Sequence, residues 1–212
     1  MPLIKSNATL IADLVHSNRF STPHIQQAFK VIDRGHFVPT HLSQHAYDDQ
    51  ALPIGYQQTI SQPTTVAIML QLLAPIAGDC VLDIGSGSGW TTGLLGWIVG
   101  SSGQVLGLEI VPELVEIGCD NLSNYLKKEL KGIDVVIRKA TGTIGVPGRQ
   151  FDKILVSAAA IELPLGLLDQ VAIGGCLVIP IGESIHVFHK TETAIEEKII
   201  PGFVFVPLKE SY

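Results

Sequence analysis

A glycine-rich stretch at residues 81–90, Val-Leu-Asp-Ile-Gly-Ser-Gly-Ser-Gly-Trp, constrains the fold more than any other feature of the sequence. Its apolar start at 81–84 predicts a buried parallel strand, and residues 91–99 predict a helix. Between the two stand three alternating glycines and two serines: Gly85, Ser86, Gly87, Ser88 and Gly89. A strand that turns through glycines into a helix brings backbone N–H groups to one point, which suits a nucleotide or nucleoside. The alternative is a turn that needs glycine for steric reasons alone.

Strand and helix patterns alternate along the rest of the chain. Helices are predicted at 6–19, from 21–23 to about 34, and at 64–74, 112–126 and 164–171. Strands are predicted at 104–109, 133–138, 151–157 and 176–181, followed by a hairpin at 185–190 and 194–200 and a last strand at 203–208. This order predicts an α/β fold: a Rossmann-like, doubly wound, mostly parallel sheet with an antiparallel C-terminal edge.

The length of 212 residues fits one domain. We expect residues 1–75 to form an N-terminal helical extension with a long loop, and residues 76–212 to form the core and the C-terminal strands. The loop at 40–63 is polar and irregular in pattern. Because long irregular segments in compact domains are often functional, we expect this loop to carry part of a site.

The composition argues against several classes of function. A formal net charge of −6 disfavours non-specific binding to nucleic acid or to anionic membranes. We expect neither a signal peptide nor a membrane span, because the N-terminus and the remaining apolar runs are too short. The three cysteines, Cys80, Cys119 and Cys176, are widely spaced, which fits a reducing cytosol. No metal site is expected, because two histidine pairs lack a third ligand at typical spacing: His41 with His45, and His186 with His189.

Two acidic residues bear on which nucleoside the glycine turn would bind. Glu109 ends the next predicted strand, twenty residues after Gly89, where an acid suits ribose hydroxyls; the alternative is a solvated strand end. Asp83 precedes Gly85 by two residues. A carboxylate there would repel the pyrophosphate of NAD but attract the sulfonium and ammonium groups of S-adenosylmethionine. Alternatively, Asp83 only ties down the backbone of the turn.

Residues 81–89 resemble the first motif of class I S-adenosylmethionine-dependent methyltransferases. Other blocks, spread over nearly the whole chain, are similar to protein-L-isoaspartate O-methyltransferases. They are residues 37–39, 46–49, 52–55, 58–63, 151–152, 158–160, Pro164, Gln170, 174–175, 177–178, Pro180, Gly182 and 205–208. The Thr-Ile-Ser-Gln-Pro block at 59–63 is specific to this family, whereas many methyltransferases share the glycine motif.

The resemblance implies a repair enzyme that uses S-adenosylmethionine to methylate the free α-carboxylate of L-isoaspartyl residues in damaged proteins and peptides. The ester then closes to a succinimide, whose hydrolysis returns some normal aspartate. A carboxylate with an unperturbed pKa of about 3.9 is already ionised at neutral pH, so no general base is needed. Catalysis then requires alignment of that oxygen with the methyl group and removal of its water. The implied protein is a cytoplasmic monomer.

The resemblance also implies roles for individual residues. Ser61 would orient the substrate carboxylate, and it could also serve as a helix N-cap. The cofactor side would be formed by Asp83, Gly85, Ser86, Gly87, Ser88, Gly89, Glu109, Ile110, Thr141 and Gly142. The substrate side would be formed by Pro53, Ile54, Gln58, Thr59, Val206 and Pro207. The backbone of the last two would hold the substrate peptide as an added extended segment, a mode that tolerates many side chains.

Two positions depart from the family pattern. Thr141 stands where the family usually has an acid that contacts the adenine amino group, and Gln57 stands at a common glycine. These differences leave room for a divergent paralogue that methylates another carboxylate or a small molecule, or for a non-catalytic S-adenosylmethionine-binding module. A NAD-dependent dehydrogenase is disfavoured by Asp83 and by the lack of a hydride-transfer site.

Overall fold

The computed structural model of the protein describes residues 5–20 and 22–209. Its helices are α1 (Asn7–His16), α2 (Pro23–Val31), α3 (Pro63–Leu73), α4 (Trp90–Val99), α5 (Pro112–Leu126) and α6 (Leu165–Leu168). Its strands are β1 (Leu52–Gly55), β2 (Gln58–Ile60), β3 (Cys80–Ile84), β4 (Gln104–Glu109), β5 (Asp134–Lys139), β6 (Phe151–Val156), β7 (Val171–Ile181), β8 (Ser184–Lys190) and β9 (Ile195–Pro201). Short 3₁₀ helices lie at Arg34–Phe37, Thr40–His45 and Gly100–Ser102. The predictions for residues 1–4, 21 and 210–212, including the outer limits of the single domain, lie outside the described residues.

A seven-stranded sheet with the order β5-β4-β3-β6-β7-β8-β9 forms the centre of the fold. Its first five strands are parallel, and β8 and β9 add the antiparallel C-terminal edge. The predicted α/β architecture is therefore confirmed. The chain moves outward from β3 to β4 and β5 and then crosses back to β6 on the other side of β3. In such sheets, ligands bind at the carboxyl ends of the strands beside this switch point.

Side chains alternate between the two faces of the sheet, and each face has its own apolar cluster. Val81 of β3 packs with residues of α1 to α5, whereas Leu82 and Ile84 pack in a second cluster with Leu167 of α6. The predicted N-terminal helical extension is thus part of the larger core. Ser6 caps α1 by accepting a hydrogen bond from the N–H of Thr9. None of the helices in the described ranges could cross a membrane, given their length and polarity.

Two predicted elements are wrong in extent. The helix predicted at 164–171 is reduced to α6, because β7 already begins at Val171. The strand predicted at 176–181 is too short, because β7 runs from Val171 to Ile181. The glycines at 174–175 lie inside it, where the residue paired with β6 changes from Val171 to Cys176 while β6 advances only from Phe151 to Lys153. Gly174, with φ of +81°, accommodates this irregularity without the strain that a side chain would bring.

The strand predicted at 203–208 is also wrong, since this segment is extended but makes only a single bridge, between Pro207 and Ala159. Two hydrogen bonds of 2.8 Å surround the bridge, from the Ala159 N–H to the Val206 carbonyl and from the Leu208 N–H to the Ala159 carbonyl. Pro207 has no N–H and cannot extend the ladder. The segment consequently lies at the carboxyl end of β6, beside the switch point.

Candidate active site

The turn after β3 is a tight glycine turn that packs against α5. Gly85, Gly87 and Gly89 have φ of +80°, +53° and +88°, a region that L side chains rarely adopt. A Cβ on Gly89 would lie 3.0 Å from the carbonyl oxygen of Gly118, so this glycine is also needed for close packing. The N–H groups of Gly85 and Ser86 are bound to the carbonyl of Leu108 at 2.8 and 3.1 Å. The turn is therefore fixed to the carboxyl end of β4.

The Glu109 carboxylate reinforces this link, and its side chain is buried. Its Oε2 accepts a 2.8 Å hydrogen bond from the N–H of Gly87. Its Oε1 accepts bonds from the N–H groups of Ile110, at 2.8 Å, and Val111, at 3.0 Å. A carboxylate oxygen has two acceptor sites, so Oε1 is fully used, whereas Oε2 keeps one site that could accept a bond from a ribose hydroxyl.

Asp83 is fully buried and does not line the cavities described below. Its Oδ2 accepts a 2.6 Å hydrogen bond from the Thr92 hydroxyl, and its Oδ1 has no partner. Burial raises the pKa of Asp83 to about 7; the hydrogen bond from Thr92 opposes this rise and the charge of Glu109 adds to it. This hydrogen bond links the end of β3, which contains Asp83, to α4, which contains Thr92.

A cavity with about 750 Å³ of empty space, part of it open to solvent, lies at the carboxyl ends of β3, β4 and β6. Nine of the predicted site residues line it: Gly85, Gly87, Glu109, Ile110, Thr141, Gln58, Thr59, Val206 and Pro207. Apolar side chains, including Ile84, Leu108 and Ile144, supply contact surface, while Glu109 and three threonines supply hydrogen-bonding groups. An apolar slot with a buried acid at one side fits a purine nucleoside, so these residues suit S-adenosylmethionine.

Ser61 lies in a smaller pocket of about 290 Å³ next to this cavity. The two spaces share Thr59, Gly85, Gly87 and Ser157, and the smaller one is also lined by Ser86 and Ser88. Among the remaining predicted residues, Gly142 lines an open pocket beside Ile110 and Thr141, and Ile54 borders a groove along residues 35–41. Asp83, Gly89 and Pro53 lie outside these cavities.

The helix-capping role considered for Ser61 is wrong. The N-cap of α3 is Gln62, which makes no side-chain capping bond. Asp49 acts in its place, because its Oδ1 accepts from the Thr64 N–H at 2.8 Å and its Oδ2 accepts from the Thr64 hydroxyl at 2.7 Å. The Ser61 hydroxyl is therefore not needed at the start of α3.

The predicted irregular loop contains a small hairpin, β1–β2, that sits on the glycine turn. Its Ile54 side chain approaches Gly87 so closely that a Cβ on this glycine would be 3.3 Å from Ile54 Cδ1. Tyr56 and Gln57 form the hairpin turn with φ of +54° and +60°, a conformation in which non-glycine residues are strained. This geometry explains why glycine is common at the position of Gln57.

Several residues near the cavity were not predicted. Ser157 and Ala158 follow β6 directly, and the rule that ligands bind at strand carboxyl ends could have found them. Arg34 had no signal in the sequence, yet its buried guanidinium donates hydrogen bonds to the carbonyls of Ala46, Gln50 and Ser61.

The histidine pairs lie apart from the site: His45 is hydrogen-bonded to Asp48 and His186 is hydrogen-bonded to Glu197. No cluster of three possible metal ligands occurs within the described part of the chain.

Comparisons with known proteins agree with this geometry. The family profile of protein-L-isoaspartate(D-aspartate) O-methyltransferases matches residues 5–212. The Archaeoglobus fulgidus protein-L-isoaspartate O-methyltransferase 1 is 38% identical over 206 residues, which cover 96% of this chain and 93% of the relative. The Caenorhabditis elegans protein-L-isoaspartate O-methyltransferase is 34% identical over 211 residues, covering 96% of this chain and 92% of the relative.

A solved structure shows the same fold over nearly the full length. It is a Plasmodium falciparum protein described as a beta-aspartate methyltransferase, crystallised in complex with S-adenosyl-L-homocysteine. The TM-score is 0.85 at 27% identity, and the match covers 97% of this chain and 99% of the other. The family suggested by the sequence motifs is thereby confirmed, and the chain belongs to the protein-L-isoaspartate(D-aspartate) O-methyltransferase family.

Proposed function

We propose that this protein is a repair enzyme that transfers a methyl group from S-adenosylmethionine to the free α-carboxylate of L-isoaspartyl residues in damaged proteins and peptides. The observation that carries this proposal is the pair of joined pockets on either side of Gly85 and Gly87. One contains the acid Glu109 and fits a nucleoside, and the other contains the Ser61 hydroxyl. Their junction is where a methyl donor and a carboxylate would meet.

The cofactor-binding roles follow from the positions of the residues. Glu109 accepts a hydrogen bond from a ribose hydroxyl through Oε2, which retains an acceptor site. The glycine turn from Gly85 to Gly89, with Ser86 and Ser88, surrounds the amino-acid end of the cofactor. Asp83 holds the strand before this turn through its hydrogen bond with Thr92. Ile110, Thr141 and Gly142 contact the adenine end. When bound, S-adenosylmethionine supplies an electrophilic methyl group attached to a sulfonium sulfur.

The pocket around Ser61 suits a substrate that is already a nucleophile. The described residues that line it offer hydroxyls, backbone groups and the Trp90 ring, and none is an acid, a histidine or a lysine. A general base is unnecessary, because an ordinary α-carboxylate is ionised at neutral pH. Ser61 donates a hydrogen bond to one carboxylate oxygen, which leaves the other aligned with the methyl group. Exclusion of water from this small pocket raises the reactivity of that oxygen.

The substrate peptide lies between the β1–β2 hairpin and the segment at 203–208. Gln58 and Thr59 line the cavity from the hairpin side, with Pro53 and Ile54 behind them, and Val206 and Pro207 line it from the other. An extended segment recognises a peptide mainly through its backbone, which fits substrates of varied sequence. The protein acts as a cytoplasmic monomer without a nucleic-acid partner; the net charge of −6 disfavours binding to nucleic acid.

The test is methyl transfer from radiolabelled S-adenosylmethionine to two peptides that differ only in an L-isoaspartyl or an L-aspartyl linkage. We expect at least about a 100-fold preference for the isoaspartyl peptide in kcat/KM, since misplacing the carboxylate removes its alignment. Equal methylation of both peptides would favour a methyltransferase for another carboxylate. Calorimetric binding of S-adenosylhomocysteine without any methyl transfer would favour a non-catalytic binding module.

A further inference from the structure

Arg34 is a fully buried cation next to the proposed active site. It opens the 3₁₀ helix that follows α2, and its side chain has no solvent exposure. Its Nη1 donates to the carbonyl of Ala46 at 2.5 Å, and its Nη2 donates to the carbonyls of Gln50 at 2.9 Å and Ser61 at 3.2 Å. Its carbon Cζ lies 5.4 Å from the centre of the Trp90 ring. Within the described residues it forms no ion pair.

Burial of the charged Arg34 guanidinium has a high cost in desolvation free energy. Desolvation lowers the pKa of Arg34 to about 10, although the nearby charges of Asp49 and Asp48 oppose this effect, so the guanidinium remains charged at neutral pH. Its Nε is buried without a partner. A buried charge that lacks an ion pair destabilises the folded state, and an apolar side chain would fill the same space at lower cost. Packing alone therefore does not explain Arg34.

Two of the three carbonyls flank the β1–β2 hairpin, and the third, that of Ala46, lies in the same loop as Gln50. Gln50 lies two residues before β1 starts at Leu52, and Ser61 directly follows β2. The guanidinium thus joins both ends of the hairpin. A carbonyl held by a hydrogen bond fixes the peptide plane, and this limits the direction in which the Ser61 side chain can leave the backbone. That side chain lines the small pocket.

We propose that Arg34 is a positioning residue for methyl transfer: by holding the Ser61 carbonyl and both ends of the hairpin, it keeps the Ser61 hydroxyl beside Gly85 and Gly87. This inference rests on the proposed function. The rigid, planar fork of arginine reaches acceptors on both sides of the hairpin, whereas the single ammonium of lysine is a compact point charge. Arg34→Lys therefore preserves the charge but loses part of this geometry.

The experiment compares the wild type with Arg34→Lys, Ser61→Ala and the double variant. We expect Arg34→Lys to lower kcat on the isoaspartyl peptide by about tenfold or more, because small misplacements of reacting groups have large effects on rate. The affinity for S-adenosylhomocysteine, measured by calorimetry, should stay within about twofold. In the Ser61→Ala background, Arg34→Lys should change kcat by less than about twofold, since its effect acts through Ser61.

Asn7→Ala is the matched control for general destabilisation. It removes a remote 2.9 Å hydrogen bond from Asn7 Nδ2 to the carbonyl of Phe29, so it should lower the melting temperature without changing kcat. Equal losses of kcat from Arg34→Lys in both Ser61 backgrounds would overturn the proposal. So would a parallel loss of cofactor affinity and kcat, as expected for a general loss of folding.

A measurement on the wild type covers the case in which Arg34→Lys does not fold. In arginine-labelled protein, NMR should show Arg34 guanidinium protons that exchange with water far more slowly than those of exposed Arg19. Similar exchange rates would show that the carbonyl contacts do not persist, and would overturn the proposal. A wild type that methylates no peptide would instead overturn the proposed function, even if Arg34 exchange were slow.

Discussion

The Oε2 atom of Glu109 accepts a 2.8 Å hydrogen bond from the backbone N–H of Gly87, so an acid at the end of β4 holds the glycine turn that follows β3. Its other oxygen is bound by the N–H groups of Ile110 and Val111. The same buried carboxylate lines the cavity that fits a nucleoside. Glu109 therefore shapes the pocket as well as offering an acceptor to a ligand, so one substitution should affect both roles.

Glu109→Gln should weaken both the fold and cofactor binding. The amide keeps one acceptor oxygen and turns an NH₂ group toward a backbone N–H, which leaves a buried donor unsatisfied. We expect a loss of about 1–3 kcal/mol in the free energy of unfolding and an affinity for S-adenosylhomocysteine at least about tenfold weaker. Urea unfolding and calorimetry measure the two effects. Glu116→Gln, on the exposed side of α5, is the control and should change neither.

Ser61→Ala should reduce turnover without reducing stability. If the Ser61 hydroxyl orients the substrate carboxylate, its loss should lower kcat on the isoaspartyl peptide by about 10–100-fold. The free energy of unfolding should be unchanged, because Asp49 caps α3. The matched control is Asp49→Ala, which should lower stability by about 1–2 kcal/mol. A stability loss in Ser61→Ala as large as that in Asp49→Ala would contradict this separation.

Local sequence signals predicted the parts of the site that depend on a strand end or a turn. The glycine turn and Glu109 were located in this way, and the family motif located Ser61. Arg34 could not be predicted, because its acceptors are backbone carbonyls 12, 16 and 27 residues away, and a carbonyl has no sequence signature. The β1–β2 hairpin was missed because its turn uses strained non-glycine residues in place of the usual glycine signal.

Thr141→Asp should increase affinity for the cofactor. Thr141 lines both the nucleoside cavity and the neighbouring open pocket, at the position where the family usually has an acid. A carboxylate there would accept a charge-assisted hydrogen bond from the adenine amino group. We expect S-adenosylhomocysteine to bind about three- to tenfold more tightly by calorimetry. Thr193→Asp adds the same charge at an exposed position outside the cavity and should give no gain; an equal gain from both would indicate a general effect of charge.

Asp83→Asn should remove a pH dependence of stability. The pKa of Asp83 is raised from 3.8 to about 7, so the folded protein keeps this proton at pH values where the unfolded chain has lost it. Stability from this group is therefore greatest below about pH 4 and declines as pH rises to about 7, by up to about 4 kcal/mol. The variant should gain stability over the wild type across this range. Urea unfolding at several pH values measures the difference, and a constant difference would contradict the raised pKa.

Gly145→Ala should disturb the loop that forms one wall of the cavity. Gln170 is buried and anchors this loop, accepting from the Val146 N–H at 2.6 Å and donating to the Ile144 carbonyl at 3.0 Å. A Cβ on Gly145 would collide with the Gln170 amide. We expect a loss of about 3 kcal/mol or more in the free energy of unfolding, together with weaker binding of S-adenosylhomocysteine.

Gly148→Ala is the matched control, because it introduces the backbone strain without a collision. Gly148 has a similar positive φ of +84°, but a Cβ there would meet nothing within 4 Å. Its substitution should cost about 1–2 kcal/mol and leave cofactor affinity unchanged. Adding Gln170→Ala to Gly145→Ala should not restore affinity, because the loop then loses its anchor even though the collision is gone. Full recovery of binding in that double variant would show that Gln170 does not position the loop.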